Sequence, residues 1–91
     1  MKSLRLLING RVQGVGYRDW LVWKASGLGL TGWVRNLGRD QVEAVLSGED
    51  SAVDAALAAC HRGPRAARVD AITTEDIAAP EMKGFVRRPT A

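Results

Sequence analysis

Hydrophobic and polar positions alternate at the start of the chain. Leu4, Leu6 and Ile8 fall on one side, Arg5 and Asn9 on the other, and Leu7 breaks the pattern. A period of two predicts a strand, here over residues 3–12. Residues 18–28 change to a helical spacing, with Leu21, Ala25 and Leu28 on one face and "GLG" as the stop. "LTGWVRN" (30–36) reads as a second strand and "DQVEAVLSG" (40–48) as a third, where Val42, Ala44 and Leu46 alternate with Gln41, Glu43 and Val45. A tight turn near Gly38 joins the two. Residues 50–62 carry the clearest helix, since Val53, Ala56, Leu57 and Cys60 stand at i, i+3, i+4 and i+7. His61 and Arg62 in its last turn, followed by Gly63 and Pro64, end it. "ARVDAITTEDI" (67–77) is a fourth strand, and "GFVRR" (84–88) adds a short fifth at an edge. No linker, repeat or low-complexity stretch interrupts this order, which predicts a single domain over residues 1–91.

A β-α-β-β-α-β order predicts an α+β, ferredoxin-like sandwich. Two helices cover one face of a four- to five-stranded, mixed but mainly antiparallel sheet. A strand, a crossover helix and a second strand of the same sheet run parallel. The first two strands therefore end at the same edge. The loop after strand one, about 13–17, and Asn36 at the end of strand two are predicted to meet in space.

That loop belongs to the stretch "NGRVQGVGYRDW" (9–20). Gly14 and Gly16 let the backbone bend so that successive N–H groups converge, and the following helix adds its free first-turn amides and its positive dipole end. Arg18 is out of place there as a bare cation, because the dipole disfavours positive charge in a first turn by some tenths of a kcal/mol. A bound anion would remove that conflict, and the planar guanidinium suits two phosphate oxygens. The plainer reading is a strand-to-helix turn that needs glycines, with Arg18 in water, and spacing alone does not choose between the two. The loop is neither a Walker loop nor a dinucleotide fingerprint, lacking the lysine, the third glycine and the later acid.

Composition narrows the setting. The 91 residues are 46% hydrophobic and 25% charged, with a formal charge of +3 and a pI of about 9.6. A mildly basic surface favours anionic partners without choosing among them. Cys60 is the only cysteine, which excludes an internal disulfide and argues against a zinc cage. No apolar run approaches the roughly 18 residues of a membrane-spanning helix. A soluble, cytoplasmic protein is expected, with no membrane partner.

"GRVQGVGYR" (10–18), "GLGLTGWVRN" (27–36), "VEAVLSG" (42–48) and "CHRGPRAARVD" (60–70) together resemble the acylphosphatase family, in order and at compatible spacing, down to the closing "GFVRRPTA". The family has the ferredoxin-like fold. The chain departs from it between Asn36 and Val42, where "LGRDQ" stands for a more common Asp-Gly turn and moves the hairpin glycine to Gly38; Tyr17 replaces the commoner Phe. The resemblance implies hydrolysis of the carboxyl-phosphate bond of acyl phosphates to a carboxylate and inorganic phosphate. Arg18 and Asn36 occupy the positions of the family's catalytic residues. Gln13, Gly14, Val15, Gly16, Tyr17 and Arg18 would hold the phosphate, and Asn36, whose amide both donates and accepts, would orient the attacking water. No metal or other cofactor is expected. The expected partners are a small acyl phosphate and inorganic phosphate, the latter as product and competitive inhibitor, acting on a monomer.

Other residues carry less. His61 lies in a helix's last turn, where a cation is favoured for structural reasons, and Cys60 falls on the apolar stripe. Asp19, in a first turn, suits the dipole. Trp20, Trp23 and Trp33 could stack bases, but "SLRLLIN" and "DQVEAVL" lack the aromatics that RNA-recognition sheets of this fold carry, so no nucleic-acid partner is expected. A carbamoyl-phosphate-handling domain that begins a hydrogenase-maturation protein is also similar; a free chain of 91 residues without zinc-finger cysteines argues against it.

Overall fold

The computed structural model describes all 91 residues. The elements follow in the order β1 (Lys2–Arg11), α1 (Tyr17–Gly27), β2 (Thr31–Leu37), β3 (Gln41–Gly48), α2 (Asp50–Cys60), β4 (Arg68–Asp76) and β5 (Phe85–Arg87). They form one five-stranded sheet in the order β4-β1-β3-β2-β5. β3 pairs antiparallel with both β1 and β2, β4 pairs antiparallel with β1, and β5 pairs parallel with β2. The fold is the α+β, ferredoxin-like sandwich the element order predicts.

Since β1 and β2 both oppose β3, they run parallel to each other, and α1 is the crossover between them. Val42 lies opposite Ile8 on one side and opposite Asn36 on the other. Asn36 is thus level with Ile8, three residues before the end of β1, and the glycine loop follows that end.

One face of the sheet and the two helices enclose the core. Leu6, Ile8, Val34, Val42, Ala44 and Leu46 meet Leu21 and Ala25 of α1 and Val53, Ala56 and Cys60 of α2, all fully buried. Burying a side chain of the size of Leu6 or Ile8 stabilises the fold by about 1.5–3 kcal/mol. α1 packs over β2 and β5, and α2 over β1 and β3.

The opposite face departs from simple alternation. Residues Val42 to Ser47 are all buried, including Glu43 and Val45 on the side away from the helices. Glu43 accepts hydrogen bonds from Arg5 Nε at 2.6 Å and Arg35 Nε at 2.7 Å, and Arg35 and Arg88 stack on Trp33 at 5.0 and 4.7 Å from its ring centroid. Val45 sits between Arg5 and Trp33 across the ladder. Long cationic side chains and one indole therefore cover this side, their stems excluding water while the charged heads pair. Burial pushes the Glu43 carboxyl up, but the bonds from Arg35 and Arg5 outweigh it, so its pKa lies below the ordinary 4.5.

Candidate active site

The loop after β1 is shaped by two glycines. Gly14 (φ +72°) and Gly16 (φ +77°) are both in the left-handed region, and no atom would lie within 4 Å of a Cβ added at either. Backbone conformation, not space, is what calls for glycine there. Gly16 is the N-cap of α1 and supplies no side-chain cap. The first helical bond runs from Trp20 N–H to the Gly16 carbonyl at 3.0 Å. The N–H groups of Gly14 through Asp19 find no acceptor in the chain. They form an uncapped donor array at a helix N-terminus, the arrangement that receives anions.

Arg18, the second residue of α1, is half-buried and makes no hydrogen bond or ion pair within the chain. Its neighbour Asp19 is taken by Arg87 of β5, Nη1 to Oδ1 2.7 Å. That contact fixes the first turn of α1 to the sheet edge and leaves Arg18 without a carboxylate. Tyr17 anchors the loop from below. Its ring is 1% exposed, and its hydroxyl donates to the Cys60 carbonyl at the end of α2, 2.7 Å. Burial pushes the Tyr17 phenol far above its ordinary value, and it pushes the Cys60 thiol up to about 11. Both are buried, and the Tyr17 hydroxyl is committed to the Cys60 carbonyl, so both read as packing residues.

Asn36 stands on the helix-facing side of β2, alternating with Val34, at 8% exposure. α1 starts at this same edge and lies over β2, which places Asn36 beneath the end of the helix that carries Arg18. Its side-chain amide has no hydrogen-bond partner in the chain, yet no buried side-chain polar atom is sealed without one. The amide head therefore reaches the surface with its donors and acceptor uncommitted. Its backbone, by contrast, is firmly held. The Asn36 carbonyl accepts from Ala91 N–H at 3.0 Å, and Gly38 N–H donates to the Ala91 carbonyl at 3.0 Å. Gly38, at φ +60°, turns the hairpin.

The structure thus brings the loop, Arg18 and Asn36 to one edge. The backbone N–H groups of Gly14, Val15, Gly16 and Tyr17 are left without acceptors in the chain, and the side chain of Gln13 is turned to the hairpin. Its Nε2 donates to the carbonyls of Leu37, Gly38 and Gln41 at 3.4, 3.1 and 2.9 Å. The contacts of Arg87 and of the 88–91 tail had no signal in the sequence, because they join segments far apart in the chain. No group of three or more His, Cys, Asp or Glu side chains is placed to hold a metal ion. His61 is the C-cap of α2. The largest surface hollow, about 520 Å³, lies beside the β1–β4 bulge and is lined by Asn9, Gly10, Arg11, Asp40, Arg68 and Asp70, with no loop residue among them.

The family model described as Acylphosphatase matches residues 4–87. An acylphosphatase of Rhodospirillum rubrum is 50% identical over 90 residues, 99% of each chain. Among solved structures, an acylphosphatase from Coxiella burnetii superposes with a TM-score of 0.92 at 33% identity, over 96% of this chain and 92% of that one. HypF of T. kodakarensis contains a similar fold, with a TM-score of 0.85 at 29% identity, but 97% of this chain corresponds there to only 12% of that chain.

Proposed function

The chain belongs to the acylphosphatase family, hydrolases that act on acyl phosphates, and from that membership we propose how its edge site works. The phosphate of the substrate sits against the N–H groups between Gln13 and Asp19, with Arg18 forking two of its oxygens. Asn36 orients the attacking water on the side away from the acyl group. The observation that supports this most is the juxtaposition at one edge of an uncommitted guanidinium, an uncommitted donor array and an uncommitted, largely buried amide. Polar groups so placed usually satisfy one another, and these do not.

Phosphoryl transfer asks the protein for charge stabilisation on the equatorial oxygens and for alignment of nucleophile and leaving group. Arg18 and the amides provide the first, Asn36 the second. As the water oxygen bonds to phosphorus, the bond from phosphorus to the carboxyl oxygen breaks, releasing a carboxylate and inorganic phosphate. A carboxylate is a weak base, its conjugate acid ionising at about pH 4, so it leaves without a general acid. The absence of a strong base, a metal-ligand cluster and an ionisable thiol from the site suits this reaction.

The same reading makes inorganic phosphate a competitive inhibitor, because the loop recognises the group that substrate and product share. From its composition and the family resemblance we also propose a cofactor-free monomer of the cytoplasm without a nucleic-acid partner. No helix is long and apolar enough to cross a membrane. The test is a hydrolysis assay on an aryl acyl phosphate before and after exhaustive chelation. Turnover should persist with the chelator present and fall competitively as inorganic phosphate is added. Loss on chelation with recovery on adding magnesium would overturn the mechanism.

A further inference from the structure

The loop and Asn36 share an edge, and the sheet joins their strands only through β3, whose ladder with β1 ends at the Asn9–Gln41 pair. β1 and β2 are not neighbours, since β3 lies between them. The loop leaves β1 after Arg11 and must be set against the hairpin of β2 and β3 by contacts beyond the ends of the strands. Among side-chain hydrogen bonds, the only ones running from residues 12–17 to that hairpin are the three donated by Gln13 Nε2. They reach Leu37, the residue after Asn36, then Gly38 at the turn, and Gln41, the first residue of β3. An amide nitrogen carries two hydrogens, so three carbonyls converge on two donors and hold the amide from several sides. The hairpin is fixed on its other flank by Ala91, and Gly38 takes part in both contacts: its carbonyl accepts from Gln13 while its N–H donates to Ala91.

We propose that Gln13 is a positioning residue: its side chain sets the spacing between the phosphate loop and the water-orienting Asn36. This rests on the roles given above to Arg18 and Asn36. The backbone N–H of Gln13 belongs with the donor array of the loop. Its side chain does separate work, because its amide nitrogen is committed to the hairpin carbonyls. In-line attack needs water and phosphorus to be held at a fixed distance by two segments that come from different strands. The Gln13 amide is the polar tie from the loop itself, beyond the Gln41 Nε2–Asn9 Oδ1 bond of 2.7 Å that joins β1 to β3. The core packing of Val12 and Tyr17 and the Tyr17–Cys60 bond hold the loop without it, so removing the tie leaves the fold and releases the spacing.

The test is a double-mutant cycle with Gln13→Met, which keeps the length of the side chain and loses the donors. Misplacement by about 1 Å can cost up to roughly 10²-fold in rate. In the otherwise native enzyme, Gln13→Met should lower kcat by about 10- to 100-fold, with the inhibition constant of inorganic phosphate unchanged within about 3-fold. In an Asn36→Ala background the same change should cost little more, since the group it aligns is already gone. Equal losses in both backgrounds would overturn the proposal, as would a parallel loss of phosphate affinity, which would make Gln13 an anion contact. If Asn36→Ala alone leaves kcat intact, the role of Asn36 fails and the proposal falls with it. If Asn36→Ala is slow and Gln13→Met is not, only the proposal fails. Gln13→Glu serves should the methionine variant not fold. Its kcat, relative to native enzyme at each pH, should rise as the pH is lowered and the carboxyl gains a proton to donate to the same carbonyls. A ratio independent of pH would count against the tie.

Discussion

Arg18→Gln is expected to lower kcat on the order of 10³-fold and to weaken competition by inorganic phosphate along with it. Arg18 is the only cation in the first turn of α1, and it pairs with no carboxylate, since Asp19 is held by Arg87. The other guanidinium at this turn, Arg87, is paired with Asp19. The equatorial charge is present in substrate, product and transition state alike, so both binding and turnover should suffer. Arg18→Lys keeps the charge without the planar fork and should recover only part of the loss. Steady-state kinetics with phosphate as inhibitor reads both effects. Near-native kcat in Arg18→Gln would return the residue to a solvent-facing helix position.

Asn36→Ala is expected to separate these effects. A positioned hydrogen-bonding group that acts on the reacting atoms commonly contributes 10²–10³ in rate, and kcat should fall on the order of that range. Phosphate inhibition should stay nearly unchanged, because the water, not the phosphate, loses its partner. Stability should also be little affected. The side-chain amide forms no bond in the folded chain, and the bonds that hold this position are those of the backbone to Ala91 and along β3. Near-normal kcat with a lowered melting temperature would instead make Asn36 a structural residue at a strand end.

Much of this was legible in the chain because it depends on topology. A β-α-β crossover forces two strand ends to one edge, so the meeting of the "QGVGYR" loop with Asn36 follows from element order alone. What the loop does was less legible. Two glycines before a helix are equally a plain turn, and the roles of Arg18 and Asn36 came from the family resemblance, not from spacing. Element ends shifted by a residue or two where capping decides them. α1 starts at Tyr17, one residue earlier than its apolar spacing suggests, since Gly16 in a left-handed conformation is the N-cap. α2 ends at Cys60, not Arg62, where the Cys60 carbonyl is taken by Tyr17 and Gly63 N–H turns back to Ala59. The hairpin glycine is at Gly38, as the "LGRDQ" departure implied.

Contacts between distant segments were not legible. Alternation assigns Glu43 and Val45 to solvent, yet both are buried, because Arg5, Arg35 and Trp33 converge on them from two other strands. The three bonds of Gln13 to the hairpin, the Arg87–Asp19 pair and the strap formed by Ala91 belong to the same class. Each joins residues tens of positions apart through polar atoms, and periodicity reports only which face of its own element a residue takes.

The central claim is that the phosphate group binds in the donor array between β1 and α1. The measurement that tests it most directly is a titration of the ¹⁵N-labelled protein with inorganic phosphate, followed through its amide and guanidinium resonances. The resonances of Gly14 to Asp19, with Arg18 Nε, should shift on one saturable curve whose midpoint matches the inhibition constant, and Arg18→Gln should move that curve to higher phosphate. If these resonances stay still while those of Arg11, Arg68 and Asp70 around the β1–β4 hollow move instead, phosphate binds elsewhere and the account is contradicted.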